Sequence, residues 1–257
     1  MATGASSPYL ALVGRARDFL DLEQSSLTRA MRVAAPLAAG RLLDVGCGTK
    51  PYEPIFRPHV REYVGVEYGD WPVDPGVSAA DAFYTGDRLP FEDGAFDTVL
   101  CNQVGEHVPD PRAFFGELVR VLRSGGRLVF TVPFSYRIHA EPNDYFRFTR
   151  YALQEYARTH GLRVDVLAAR GGMWSVVGQK VASHIALRYG RLGGDLQRIG
   201  GFAYVAPMAK RPRYWALPVV APAVVAVVAA SRVLDRVDHD ESDTLGYLLV
   251  ATKGARG

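Results

Sequence analysis

A short apolar run, Arg41-Leu42-Leu43-Asp44-Val45, opens directly into Gly46-Cys47-Gly48, and Glu67 closes the next such run 21 residues after Gly46. Few folds accommodate that arrangement. An apolar run this short, ended by glycines, reads as a buried parallel strand rather than a helix. Glycines there let backbone approach a ligand closely at the carboxyl edge of a sheet. An acid ending the second strand can accept hydrogen bonds from both hydroxyls of a ribose. Turn and acid together describe a site for an adenosine-type nucleoside. The plainer reading is a tight turn with an exposed acid.

The chain around this feature alternates between strand and helix patterns. Tyr63 to Val66 and Phe96 to Cys101 read as strands. Residues 111–123 read as a helix with Phe114, Leu118 and Val121 on one stripe and Phe115, Val119 and Leu122 beside it. Pro111 suits its first turn, and Gly125 and Gly126 close it. Arg127 to Val132 is a strand, Thr149 caps a helix running to about His160, and Leu162 to Leu167 and Gly246 to Thr252 are strands. Upstream, residues 1–14 read as a loose tail. Residues 15–39 read as a helix that packs through Phe19, Leu22, Leu27 and Met31 and stops at Gly40. Such alternation implies crossover units, hence an α/β fold with a parallel sheet and helices on both faces. Residues 171–245 break the rhythm. They are too long for a simple connection and are expected to add helices over one end of the sheet.

Composition narrows the class. With 257 residues, 48% hydrophobic and 22% charged, the chain suits one large, elaborated globular domain. The net charge of +3 comes from 26 Arg and 4 Lys against 27 acids. That is no strong basic field, so a nucleic-acid partner is not expected. Cys47 and Cys101 cannot build a disulfide framework, and both are expected as buried thiols. The N-terminus lacks a charged start followed by an apolar core, so a cytoplasmic compartment is the simplest reading. His59, His160, His184 and His239 show no ligand spacing, and no metal site is expected.

The ligand is not a dinucleotide on this pattern. Gly48 is followed by Thr49-Lys50-Pro51, so the third glycine of that fingerprint is missing. Asp44 would repel a pyrophosphate but suits a cationic ligand. Together with the lack of a Tyr-x-x-x-Lys pair, this counts against a nicotinamide oxidoreductase. Four motifs then carry a family resemblance. Leu42-Leu43-Asp44-Val45-Gly46-Cys47-Gly48-Thr49 resembles motif I of class I S-adenosylmethionine-dependent methyltransferases. Leu89-Pro90-Phe91-Glu92-Asp93-Gly94-Ala95-Phe96-Asp97 resembles their stretch leading into strand four. Gln103 to Pro111 resembles the segment after that strand, and Arg120 to Gly126 the turn before strand five. The match runs over about residues 40–170 and resembles the type 11 methyltransferase family.

This resemblance implies a Rossmann-like, seven-stranded, mostly parallel sheet and S-adenosylmethionine as cofactor. With the pattern of the rest of the chain, the expected division is an N-terminal tail and helix over 1–40, a cofactor-binding core over 41–170, a helical insertion over 171–245 that caps the substrate pocket, and a final strand and tail over 246–257. Asp44, Gly46, Cys47 and Gly48 would line the methionine part of the cofactor, and Glu67 would hold the ribose. Thr85 stands where the family often carries an Asp that meets the adenine amine, and Thr85 or Asp87 would take that contact. Gln103 and Val104 would lie beside the cofactor. Lys50 replaces a third motif glycine.

Methyl transfer needs a base only if the nucleophile must lose a proton, as a hydroxyl does. Candidate bases stand just beyond strands four and five. His107 is one, with a helix-start role as the plainer reading, and its neighbour Glu106 reads as a structural acid. His139 is the other. Its loop resembles the His-x-x-Pro-x-Asp-Tyr-Phe-Arg-Phe-Thr stretch of one methyltransferase subgroup. The leading expectation makes His139 the base with Asp144 orienting it; the bland alternative is an Asp144–Arg147 ion pair that shapes the loop. These residues favour O-methylation of a small-molecule or lipid-linked acceptor. N- or C-methylation and a non-catalytic nucleoside-binding module are the alternatives.

Tyr214 to Ser231 carries no charge in 18 residues, with Lys210, Arg211 and Arg213 before it and Tyr214 and Trp215 at the junction. Basic flank, aromatic pair and apolar run read like a peripheral membrane contact over 210–231. Pro218 and Pro222 weaken the first half as a helix. A strand returning at 246–252 argues against a span, which would leave that strand across the bilayer. The favoured expectation is a buried helix lying over the sheet or a dimer interface.

Overall fold

The computed structural model describes residues 19–69, 78–190 and 213–254. The expected tail at 1–14 and the basic pair Lys210 and Arg211 lie outside the described residues.

Seven strands form one sheet: β1 (Arg41–Val45), β2 (Glu62–Tyr68), β3 (Ala82–Tyr84), β4 (Phe96–Asn102), β5 (Leu122–Pro133), β6 (Leu162–Ala169) and β7 (Gly246–Lys253). Their order is β3-β2-β1-β4-β5-β7-β6. The first five are parallel neighbours, and β7 runs antiparallel to both β5 and β6. The expected Rossmann-like α/β fold with a mostly parallel sheet is therefore present. The strand order reverses at β1 and β4, and such switch points form a crevice at the carboxyl edge.

Alternation along the central strands fills two layers, because successive side chains point to opposite faces. Leu43, Val99 and Leu128 face α3 (Pro111–Val121) and α4 (Arg150–Thr159), where Phe115, Leu118 and Leu153 are fully buried. Their neighbours Leu42, Leu100 and Val129 face the other way, against Met31 and Ala34 of α1 (Leu22–Ala34) and Phe56 of α2 (Glu53–Phe56). Each fully buried side chain of this size contributes about 2 kcal/mol.

Local chemistry sets the helix ends. Asp21 starts α1 by accepting the Gln24 N–H at 3.1 Å; Phe19 and Leu20 before it are also helical, so the expected single helix is broken at Asp21. Asp110 and Thr149 cap α3 and α4 through the Ala113 and Ala152 N–H groups. Gly161, at φ +68°, ends the last of these as its sequence position suggested.

The insertion supplies α5 (Met173–Ile185) and α6 (Leu217–Val237). They pack on each other and on α1 through Leu22, Val176, Ala182 and Val228. The Gln179 Oε1 atom accepts the Leu22 N–H at 3.0 Å. Two expectations are corrected here. Pro218 and Pro222 do not interrupt α6. Pro218 sits in the first turn, where its missing N–H costs nothing, and the helix continues through Pro222. Nor is α6 a buried helix over the sheet. It rests on α5, and only 17% of its apolar stretch is buried. Tyr214 to Val237 is long and apolar enough to cross a membrane by length and composition. Yet β7 follows it and lies between β5 and β6, and the Arg213 N–H ahead of it donates to the Gly190 carbonyl at 2.9 Å, so both ends of the helix are tied to the rest of the fold.

Candidate active site

The glycine turn is built by backbone that other residues would not tolerate. Gly46 has φ +72°, and a Cβ there would stand 2.3 Å from Val104 Cγ2. Its N–H donates to the Val66 carbonyl at 2.9 Å, folding the turn onto β2. Gly48, at φ +50°, faces open space: a Cβ there would meet nothing within 4 Å. Glu67 stands at the rim and accepts the Gly48 N–H at 2.9 Å and its neighbour Tyr68 N–H at 3.2 Å. Burial holds its carboxyl above the usual range, and these two bonds oppose that shift.

Asp44 lies beneath the turn. Its Oδ2 accepts the Tyr63 hydroxyl at 2.6 Å, and burial pushes its carboxyl up to about 7. Lys50 takes the third-glycine position with a glycine-like φ of 54°. Its side chain turns away from the crevice and reaches Asp81 at 2.5 Å, passing so close to Gly65 that a Cβ there would meet Lys50 Cε at 2.4 Å. The turn therefore stays narrow despite the lysine. Cys47 is buried, and desolvation raises its thiol pKa. Gln103 leaves β4 at φ +55° and donates its N–H to the Thr131 carbonyl at 3.0 Å. Thr85 follows β3, beside Gly69, and both Thr85 and Asp87 are exposed.

Asp44, Gly46, Cys47, Gly48, Glu67, Gln103 and Val104 thus meet at the carboxyl ends of β1, β2 and β4, with Thr85 and Asp87 on the β3 side. These residues fit S-adenosylmethionine. The carboxylate at the rim still has lone pairs for ribose hydroxyls, the open space at Gly48 admits backbone contact, and the acid below matches a cationic amino-acid end.

A second group stands next to it. Two residues beyond Val104, Glu106 is fully buried, and among the described residues neither carboxylate oxygen has a side-chain hydrogen-bond partner. Burial pushes its carboxyl up to about 8. His107 Nδ1 lies 2.6 Å from the Asn143 carbonyl, and its ring meets His139 edge to face at 4.7 Å. His139 Nδ1 lies 3.3 Å from both Asp144 Oδ2 and the Arg137 carbonyl. Burial lowers the His139 imidazole to about 4 and lowers His107 as well, so both are neutral at pH 7.

Asp144 meets both of its expected neighbours at once. It contacts His139, accepting the backbone N–H at 2.9 Å, and it forms a two-pronged pair with Arg147 at 2.6 and 2.8 Å. Burial opposes the shift, but the Arg147 and His139 bonds hold its carboxyl down at about 2. Sequence reasoning placed His107, His139 and Asp144 on the acceptor side and gave Glu106 only a structural role. The adjacent Glu106-His107 pair was the signal available for it. Beyond this loop, a cavity of about 440 Å³ opens against α5, lined by Tyr136, Arg137, Gln179, Lys180 and Arg188 among others.

Known proteins resemble this chain in sequence and fold. The family described as a methyltransferase domain matches residues 19–169. The chain is 38% identical over 133 residues to an uncharacterized methyltransferase of Mycobacterium sp. (strain JLS), covering 48% of this chain and 51% of that protein. It is 28% identical over 172 residues to a ubiquinone biosynthesis O-methyltransferase of Pseudomonas aeruginosa (strain LESB58), covering 62% and 72%. The chain spans about half the length of the mycobacterial relatives it matches. Its fold is similar to the cyclase SpnF (TM-score 0.50, 22% identity, 90% of this chain and 80% of that one). It is also similar to a geranyl diphosphate methyltransferase in complex with S-adenosylmethionine (TM-score 0.50, 13% identity, 90% and 85%). At such identities these structures speak for the fold alone. The family match over more than half of the chain goes further: this chain belongs to the class I S-adenosylmethionine-dependent methyltransferases.

Proposed function

We propose that this chain transfers a methyl group from S-adenosylmethionine to an oxygen of a small-molecule or lipid-linked acceptor. One observation carries the reading. The stretch Gln103 to His107 touches both halves of the site, with Val104 against Gly46 and His107 against His139. A nucleoside cradle and a histidine-bearing loop therefore share one crevice.

S-adenosylmethionine, when bound, supplies an electrophilic sulfonium methyl. Glu67 binds the ribose hydroxyls, and Asp44 offsets the ligand's positive charge. On the acceptor side, the cluster of Glu106, His107 and His139 takes up the loss of the hydroxyl proton. Asp144 positions His139. Oxygen is preferred because such a cluster serves a nucleophile that must be deprotonated. The P. aeruginosa relative, by its name, is also an O-methyltransferase. The lipid-linked option rests on α6 and the turn that leads into it, whose exposed Val219 and Trp215 suit contact with a membrane surface.

Calorimetric titration with S-adenosylmethionine and S-adenosylhomocysteine tests the cofactor half. Micromolar binding is expected, and its loss in Asp44→Ala and Glu67→Ala. A folded wild-type protein that binds neither nucleoside overturns the reading.

A further inference from the structure

Glu106 is a fully buried acid that faces two histidines. Its relative exposure is 0%, and among the described residues neither oxygen has a side-chain hydrogen-bond partner. A buried carboxylate is costly unless a cation or a proton compensates it. Its neighbours are two imidazole nitrogens, His107 Nε2 at 3.7 Å and His139 Nε2 at 3.9 Å from Oε1. Both separations are too long for hydrogen bonds. Metal–ligand bonds of about 2.0–2.2 Å place ligand atoms roughly 3–3.5 Å apart, so small side-chain rotations close the difference. The ligand atoms of all three residues lie within 4.8 Å of one another.

The outer contacts have the form that metal-binding histidines use. His107 Nδ1 faces the Asn143 carbonyl, and His139 Nδ1 faces the Arg137 carbonyl and Asp144. Acceptors at Nδ1 keep the proton there and leave Nε2 with its lone pair toward Glu106. Asp144 is in turn held by Arg147. Two imidazoles and one carboxylate, oriented by carbonyls and a second carboxylate, form a donor set for a divalent transition ion.

We infer that Glu106, His107 and His139 bind one divalent cation of the zinc, iron or manganese class. Binding itself needs no methyl transfer. Its consequence rests on the proposed function. An ion held there, two residues from Val104, would stand on the acceptor side of the cofactor cradle and would lower the pKa of an acceptor hydroxyl, so that its proton passes to solvent; with the ion bound, the two imidazoles would serve as ligands in place of the base role they have without it.

The test uses the full chain, stripped with chelator and titrated with Co2+ and then Zn2+. One equivalent is expected to bind, with a Co2+ visible absorption band that Zn2+ abolishes. In Glu106→Gln and His139→Asn the affinity falls by more than about 100-fold, beyond the 10–100-fold typical of losing an outer-shell partner. Wild-type nitrogen NMR shifts of the His107 and His139 imidazoles on adding Zn2+ give the same answer without a variant. No Co2+ binding at tens of micromolar, unmoved imidazole shifts, or variants that bind as wild type overturn the site. S-adenosylhomocysteine binding is measured alongside. Metal binding without nucleoside binding supports the site while overturning the methyl-transfer reading.

Discussion

Glu67 at the end of β2 accepts the N–H of Gly48 at 2.9 Å, tying one strand to the turn that follows its neighbour. The bond sets the glycine turn and aims the carboxylate at the same time. Glu67→Gln keeps the shape but removes the charge-assisted acceptor. Hydrogen bonds to charged groups are worth about 1.5–3 kcal/mol, so nucleoside affinity should fall roughly tenfold to a hundredfold. Calorimetry with S-adenosylhomocysteine reads this. An unchanged Kd would remove Glu67 from the cradle.

Gly46→Ala meets two separate penalties. The left-handed φ of +72° costs a residue with a Cβ about 1–2 kcal/mol, and the new methyl overlaps Val104 Cγ2. The melting temperature should drop by several degrees and nucleoside binding should fail. Adding Val104→Ala relieves the overlap but not the backbone strain. The double variant should recover only part of the lost stability, and full recovery would show that φ was not limiting.

Asp44 makes stability and cofactor affinity depend on pH. Its carboxyl titrates near 7 in the folded chain, against 3.8 ordinarily, because it is buried. The folded state therefore holds a proton that the unfolded state has lost. Stability is greatest below pH 4 as far as this group is concerned, and falls as pH rises from about 4 to 7. A cationic ligand favours the ionised acid, so S-adenosylmethionine affinity should rise from pH 6 to 8. Asp44→Asn should flatten both slopes. Denaturant titrations and calorimetry across that range check them, and a variant retaining the wild-type slopes would assign the dependence elsewhere.

Arg147 holds the acceptor loop through its charge. Its guanidinium bonds both oxygens of Asp144 and donates to the Arg137 and Phe146 carbonyls. Asp144 is almost fully buried, so Arg147→Met strands a carboxylate. The loss should approach about 3 kcal/mol in chemical denaturation. Arg147→Met combined with Asp144→Asn should restore most of that stability, because no charge is left unpaired. If the double variant is as unstable as the single, the pair is not what shapes the loop.

The fold was legible wherever burial and periodicity agree. β1 and β4 are apolar runs between glycines, and Thr149 and Gly161 bracket α4 by their side-chain and backbone chemistry; Gly125 and Gly126, expected to close α3, lie instead inside β5, which begins at Leu122 as soon as the helix ends at Val121. The short β3 escaped notice because Ala82-Phe83-Tyr84 is an edge strand with no run of its own. The break before α1 was missed because Asp21, a cap, sits inside an otherwise helical pattern. The cofactor cradle could be read because strand, turn and acid are close in sequence. The cluster of Glu106, His107 and His139 could not, since 32 residues separate its two histidines and only the pairing of β4 with β5 brings their loops together.

The outer face of α6 gives the last prediction. Trp215, Val219 and Val237 are 79%, 76% and 81% exposed, an unusual concentration of bare apolar surface on one helix. Arg213 stands at its start. Peripheral membrane contact predicts that the full chain sediments with vesicles containing anionic lipid. Val219→Asp should weaken sedimentation at least fivefold, while nucleoside binding stays unchanged because α6 lies away from the glycine turn. The Trp215 environment should become less polar on vesicle addition, read as a difference in emission between wild type and Trp215→Phe. If the protein instead self-associates through this face, sedimentation velocity will show a concentration-dependent dimer that Val219→Asp dissolves. Vesicles would then make no difference, and the lipid-linked acceptor would lose its structural support.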